Sequence, residues 1–332
     1  MSVAASTAFL TALGLSAALA ACGPVDRPRE RGSHRAPTPT AGGLAVLVAV
    51  CAATLFGTRS DPVLAAVLIA GLLGLAGAAD DVFDLGAGAK LLAQAAAAVA
   101  FASLVGRVES LPFHAFDLPL GPVVGAAGTV LWLLVLTNAV NFMDGSNGLA
   151  PGVQAIGFLA FLFVLPAEHP LFALALAGAA ASLGFLPWNL AGRLFQGDVG
   201  ALFSAFLTGA LAVLAVEAGH ASAWLAPTAL APFLTDVILT VLVRARRRAR
   251  LSEAHREHLY QLWLHASPRP HLALAWRVWL LTGLCAAAAV AGERAGAPVV
   301  AFLAVYALCG TGWIVLRRRI GPSALDARRR SG

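Results

Sequence analysis

Charge is scarce in this chain. Only 12% of its 332 residues are Asp, Glu, Lys or Arg, while 59% are hydrophobic, and the mean hydropathy is +0.80. A water-soluble chain carries about 25% charged residues, so a soluble globular body is excluded. Long polar stretches are lacking too; the longest runs from about Arg244 to Pro270. Cys22, Cys51, Cys285 and Cys309 are scattered with no C-x-x-C pair, which argues against both a disulfide framework and a zinc site. There is no basic stripe with interleaved aromatics, so nucleic-acid binding is not expected despite a net charge of +6 and a pI near 9.9. Residues 1–22 contain no Lys or Arg. Leu19-Ala20-Ala21-Cys22 looks like a lipoprotein cleavage box, but a secretory signal has a basic n-region. The segment therefore reads as a retained first span.

What is present is a succession of apolar runs near the ~20 residues that cross a bilayer. About eleven are read, near 3–22, 42–58, 62–79, 89–106, 121–140, 150–166, 168–186, 200–217, 223–243, 271–291 and 296–316. They are apolar on all sides and rich in Ala and Gly, which suits close helix packing in lipid; a transmembrane barrel needs alternating polarity. The expected fold is all-α and polytopic, a single transmembrane domain over 1–320 with a basic tail over 321–332. Of the 23 Lys and Arg, Arg59, Arg107 and Arg294 fall in loops on one side, and the remainder sit in or beside the opposite loops or the tail. The positive-inside rule then puts the N-terminus outside and Arg317-Arg318-Arg319 in the cytoplasm. The net positive charge is read as this bias plus contacts to anionic lipid.

Five polar clusters interrupt the runs, and that topology gathers all of them on the cytoplasmic side. They are Asp80-Asp81-Val82-Phe83-Asp84, Asn138 to Gly145, Trp188-Asn189, Gly197-Asp198-Val199-Gly200 and His255-Arg256-Glu257-His258. Carboxylates at a bilayer edge are costly and mark functional sites by default. Asp80 and Asp81 cannot both lie there cheaply unless a cation or a proton is shared between them. Mg²⁺ suits such a place because it takes oxygen ligands and is completed by substrate phosphates; the competing reading is an interfacial helix cap. Lys90 and Gln94 lie one turn apart on the next span, placing Lys90 to meet a phosphate or to snorkel. Asn138, Asn141 and Asp144 follow one helical spacing, and Gly145 and Gly148 then break the helix. Asp198 opens a span, where a carboxylate also serves as a cap. Phe195 before it is suited to stack a base or to anchor at the interface. His255 and His258 are i,i+3 and are expected to share a helix face. With Arg256 they suggest a diphosphate clamp rather than a zinc site, since no third ligand has suitable spacing. Asp236, a turn after Pro232, is the main acid within a span, placed to extend the cytoplasmic site. The spans after Pro270 carry no motif and read as completing the bundle.

In this order the residues resemble the polyprenyl-phosphate N-acetylhexosamine-1-phosphate transferase superfamily (glycosyltransferase family 4). The resemblance covers roughly residues 24–262. It begins with Asp26-Arg27-Pro28-Arg29, Ser33-His34, Pro37-Thr38-Pro39 and Gly42-Gly43, and continues through the stretches 80–94, 138–152, 184–200 and 244–262, ending in His255-Arg256-Glu257-His258-Leu259-Tyr260-Gln261. It implies transfer of a sugar 1-phosphate from a UDP-sugar to undecaprenyl or another polyprenyl phosphate, with Mg²⁺ (or Mn²⁺), at the bacterial cytoplasmic membrane. The resemblance implies Asp80, Asp81 and Asp144 as catalytic residues and Asp198 as the metal ligand. It implies Lys90, Asn138, Asn141, Gly145, Asn147, Asn189, Phe195, His255, Arg256 and His258 as substrate-binding residues. A homodimer is compatible with it.

Two departures from the family pattern bear on the reading. Asn147 stands where the family often has a second aspartate after D-G; it can hydrogen-bond a uracil edge but supplies no charge or base. The final loop lacks the His-rich run of the phospho-MurNAc-pentapeptide branch, which favours a branch serving O-antigen or other wall glycans. That pentapeptide transferase is the nearest alternative. From another class, a secondary transporter predicts polar residues and broken helices near the midplane.

Overall fold

A computed structural model describes the chain except residues 1, 24, 27–37, 58–59, 114–115, 251–254, 267–270 and 332; the side chains of 2, 26 and 321–331 are also outside the description. Arg27–Arg29, Ser33, His34 and Pro37 of the first motif therefore lie outside it. In chain order the elements are α1 (Ser2–Cys22), β1 (Val25–Asp26), β2 (Thr38–Pro39), α2 (Gly42–Gly57), α3 (Asp61–Phe83), α4 (Ala87–Leu104), β3 (Ser110–Pro112), β4 (Asp117–Pro119), α5 (Gly121–Met143) and α6 (Leu149–Phe161). They continue with α7 (Pro170–Leu190), α8 (Gly197–Glu217), α9 (Leu225–Ala229), α10 (Ala231–Arg246), α11 (Leu259–Ala266), α12 (His271–Arg294) and α13 (Pro298–Ser331). β1–β2 and β3–β4 are two short antiparallel pairs; everything else regular is helical, as the composition requires.

Each of the eleven apolar runs becomes helix, but they are not equal. Among the described residues, eight helices are long and apolar enough to cross a membrane, while Gly42–Gly57 and Leu149–Phe161 are shorter apolar helices. The run expected at 223–243 is broken into α9 and α10 at Leu230 (φ −96°, ψ 13°). Pro232 enters the second piece at its first turn, where its missing N–H costs nothing. Pro62, Pro122 and Pro170 sit at or near the first helical position of α3, α5 and α7 in the same way. α13 runs on through the basic tail to Ser331.

α8 is the centre of the bundle. Almost every residue from Val199 to Ala215 is buried, against α3, α5 and α2. Small residues permit this: a Cβ on Gly43 would lie 2.1 Å from the Gly200 Cα, and one on Gly77 2.7 Å from the Asp198 carbonyl. Phe101 and Phe206 fill the middle edge to face at 5.9 Å and 87°. Outward, large side chains such as Leu68, Leu92, Val123, Leu284, Leu303 and Leu308 are exposed. An apolar surface on this scale marks contact with lipid rather than water.

The two ends of the bundle differ. At one, Trp224 Nε1–H donates to the Pro112 carbonyl at 2.5 Å, and Glu293 accepts the Ser222 backbone N–H at 3.1 Å, closing the loops onto β3 and α12. The other end collects the aspartates.

Candidate active site

The site is assembled from four helix ends. α3 arrives with Asp80 and Asp81, α4 leaves with Lys90, α5 arrives with Asn141 and Asp144, and α8 departs with Asp198. The Lys90 ammonium bridges two carboxylates: it pairs with Asp80 at 2.7 Å and with Asp198 closer still. Asn141 Nδ2–H donates to the other Asp198 oxygen at 2.7 Å. These side chains are only partly covered, Asp80 11%, Asp198 21% and Lys90 23% exposed, so the cluster opens to a solute while being largely shielded.

The adjacent aspartates do different things. Asp81 accepts the α8 backbone N–H groups of Asp198 at 3.1 Å and Val199 at 3.4 Å. It satisfies donors that a helix start otherwise leaves orphaned, and so fixes Asp198. Asp80 faces Lys90 with one oxygen, while the other is buried and has no protein partner. Asp198, with the amide oxygen of Asn141 beside it, supplies oxygen donors of the kind hard divalent ions prefer, next to the Lys90 ammonium. Among the described residues no group of three or more His, Cys, Asp or Glu forms a ready-made metal cage.

Asp144 follows the end of α5. Desolvation, then the Asp198 and Asp81 carboxylates, hold its pKa well above the usual carboxylate range. A raised acid pKa destabilises the fold by an amount that is absent below the unfolded pKa of about 3.9 and grows as pH rises toward the folded value. Asp144→Asn is therefore expected to melt higher than wild type at pH 7, with the gap closing toward pH 4, measured as Tm across that range.

Lys90 is the chain's only lysine among many arginines. A compact ammonium sits between the two carboxylates as a point charge, and a larger planar guanidinium there would change the spacing and direction of both contacts. Lys90→Arg is expected to keep less than about a tenth of the activity, measured as initial rates at matched Mg²⁺.

The remaining expected residues separate into two groups. Asn189 is buried and acts as a clip: its oxygen accepts the Gly148 N–H at 2.5 Å and its amide donates to the Leu194 carbonyl at 3.1 Å. Asn138 donates to Gln94 Oε1 at 2.5 Å and to the Leu134 carbonyl at 2.8 Å. It ties α5 to α4 behind Lys90 and makes no described bond to the aspartates. Asn147 lies beside Gly192, where a Cβ would come within 3.0 Å of its amide nitrogen. Phe195 is held by its backbone, which pairs with the Pro39 carbonyl and the Gly42 N–H, each at 2.8 Å. This attaches the Thr38–Gly43 motif to the Gly197–Gly200 turn. Gly145 admits the Tyr260 hydroxyl, which a Cβ would meet at 2.2 Å.

The histidine loop departs from expectation. His255 and His258 do not share a helix face, because α11 starts only at Leu259. Their rings still meet, with centroids 4.9 Å apart. Desolvation, with His258 and Arg244 adding, pushes the His255 pKa down to about 4. Desolvation lowers that of His258 as well, against the opposing pull of Asp236. Burial thus works against the charged form of both imidazoles. Glu257, in the same loop, is gripped by Arg244, Arg247 and Arg317.

Several supporting residues carried no local signal. His271 Nδ1 sits 2.9 Å from Ser146 Oγ, and Trp279 Nε1–H donates to the Gly148 carbonyl at 2.9 Å. The helices after Pro270 therefore do more than complete the bundle; α12 buttresses the Asp144–Gly148 turn.

A helical membrane bundle with an acid-rich, lysine-bridged site at one end belongs with enzymes that handle phosphates at a bilayer surface. Comparison with known proteins agrees. A family model described as glycosyl transferase family 4 matches residues 63–216. The chain is 31% identical over 287 residues to the undecaprenyl-phosphate alpha-N-acetylglucosaminyl 1-phosphate transferase of Yersinia pestis, covering 82% of this chain and 78% of that one. It is 33% identical over 199 residues to the probable undecaprenyl-phosphate N-acetylglucosaminyl 1-phosphate transferase of Bacillus subtilis (strain 168), covering 58% of this chain and 55% of that relative's length. It is also 33% identical over 202 residues to the phospho-N-acetylmuramoyl-pentapeptide-transferase of Staphylococcus saprophyticus, covering 52% and 62%. The chain belongs to glycosyltransferase family 4, the polyprenyl-phosphate N-acetylhexosamine-1-phosphate transferase superfamily.

Proposed function

We propose that the protein transfers a sugar 1-phosphate from a UDP-sugar to a polyprenyl phosphate, with N-acetylglucosamine 1-phosphate the first group to test. The observation that carries this reading is the Asp80–Lys90–Asp198–Asn141 constellation at the rim of a lipid-facing bundle. One substrate is anchored in lipid and the other dissolved in water, so the chemistry belongs at such a rim. The relatives aligned over most of this chain bear N-acetylglucosaminyl names, and the pentapeptide-transferase match is shorter. That supports a glycan-initiating role over the peptidoglycan step. The polar side chains gather at one end of the helices, which speaks against a transporter with a midplane site.

In this reading an oxygen of the lipid phosphate attacks the β-phosphorus of the UDP-sugar. A new P–O bond forms, the bond to the bridging oxygen breaks, and UMP leaves. Asp80, with its unpartnered oxygen, takes the proton of the lipid phosphate. Asp81 holds the start of α8 and thereby Asp198. Lys90 neutralises the carboxylates and presents its ammonium to phosphate oxygens. Asp198 and Asn141 are the residues that would hold Mg²⁺, which when bound supplies charge neutralisation on the diphosphate. Positioning and charge dominate phosphoryl transfer, so little covalent work falls to the protein. The positive-inside bias supports a site facing the cytoplasm, where UDP-sugars are dissolved.

The test is incubation of detergent-purified protein with undecaprenyl phosphate, Mg²⁺ and a panel of UDP-sugars. UMP release that requires both lipid phosphate and Mg²⁺ is the expected outcome. Binding of no UDP-sugar and release of no UMP would reject the reading.

A further inference from the structure

Asp236 is a buried carboxylate that the proposed chemistry does not use. It lies in α10, only 4% exposed. One of its oxygens accepts the Leu259 N–H at 2.8 Å, the Trp313 Nε1–H at 2.9 Å and the Thr240 hydroxyl at 3.1 Å. The other accepts the Tyr260 N–H at 3.3 Å. His258 Nδ1 stands 3.9 Å away. Leu259 and Tyr260 open α11, so a carboxylate from one helix caps the start of another, satisfying donors that a helix start leaves orphaned. The capped turn reaches the candidate site directly. The Tyr260 hydroxyl donates to the Phe142 carbonyl at 3.0 Å, next to Asp144, and the His258 ring stacks on Phe142 with centroids 5.9 Å apart. From the far side, α13 supplies Trp313, and one turn later Arg317 donates to the Glu257 carbonyl at 2.7 Å.

We propose that Asp236 is a positioning residue for the transfer reaction, holding the start of α11, and with it Tyr260 and the neighbouring His258, against the Asn141–Gly145 wall, with Trp313 of the last helix as its key. The proposal rests on the reading of function above. It gives α13 a role in the site although that helix carries none of the polar clusters. It also explains why an acid is kept inside a membrane helix, where acids are costly: four donors from three other segments or turns converge on it.

The test compares full-length wild type, Asp236→Asn, Trp313→Phe and the double variant in detergent. Three quantities are read: Tm, the rate of trypsin cleavage within the arginine-rich loop, and kcat and KM for the productive UDP-sugar. Asparagine keeps one acceptor and loses the other, so the loop should loosen without global unfolding. The expected result for Asp236→Asn is cleavage faster by about ten-fold and kcat/KM lower by about thirty-fold. Tm should fall by no more than about 4 °C. Trp313→Phe, a milder change that guards against misfolding of the first variant, should move the same quantities less. The double variant should be no worse than Asp236→Asn, because the two act through one contact. Wild-type kinetics in Asp236→Asn overturn the proposal, whether or not cleavage accelerates. A wild type that turns over no UDP-sugar overturns the reaction itself and this proposal with it, so the two failures are distinguishable.

Discussion

Replacing Asp198 by asparagine is expected to lower UMP release by about a thousand-fold, equivalent to about 4 kcal/mol of transition-state stabilisation. The change keeps the shape of the side chain and removes its charge. Asp198 receives Lys90 on one oxygen and Asn141 on the other, and Asp81 holds its backbone, so its position is fixed from three sides. The variant should keep that position, because the Asp81 contact runs through the backbone. What it loses is the charge that would attract a divalent cation, so raising Mg²⁺ should restore only a small part of the rate. Stability should move the other way. Asp80, Asp81, Asp144 and Asp198 crowd around a single lysine, and removing one negative charge relieves repulsion. A Tm equal to or above wild type, with activity lost, is the expected pair of results; such opposition is usual where a site is built at a cost to the fold. Initial rates over a Mg²⁺ series, with Tm on the same preparations, check it. Activity within a few-fold of wild type would remove Asp198 from the machinery.

Asp80→Asn is expected to cost at least as much, again about a thousand-fold or more, and to differ from Asp81→Asn in kind. Asp80 has a buried oxygen with no partner and makes no backbone contact to α8. Its loss should therefore remove the proton acceptor and leave Tm close to wild type. Asp81 caps α8, so asparagine there leaves one of two N–H groups without a carboxylate oxygen. That variant should lose stability as well as rate, by about 1 kcal/mol, as for a lost helix cap. Measuring kcat/KM and Tm for both variants separates the roles. Equal losses of Tm would contradict the division of labour drawn from their contacts.

Much of this arrangement was legible in the sequence, because its signals are local. Apolar runs of fixed length give helices. The alternation of spans then forces residues as distant as Asp80, Asn141 and Asp198 onto one end. Three features were not legible. The spacing of His255 and His258 suits a helix, yet the helix begins only where Asp236 caps it, and a tertiary cap leaves no trace in neighbouring residues. Asn189 reads as a ligand-binding residue because polar groups at a membrane edge usually serve a function; its bonds to Gly148 and Leu194, which tie two turns together, have no sign in the neighbouring residues. The links from His271, Trp279, Trp313 and Arg317 back to the site come from helices that look featureless in sequence. A single tryptophan or histidine in an apolar helix does not announce its partner. The division between Asp80 and Asp81 is of the same kind: two identical neighbours are told apart only by what each one touches.

In the proposed reaction this chain moves a sugar together with its phosphate onto a lipid phosphate. The most direct measurement is transfer of label from a UDP-sugar carrying labelled β-phosphorus into the solvent-extractable lipid fraction, using purified wild-type protein, polyprenyl phosphate and Mg²⁺. Label and sugar are expected to enter the lipid in equal amounts, with one UMP released for each. Release of UDP instead, with the label staying in water, would contradict it.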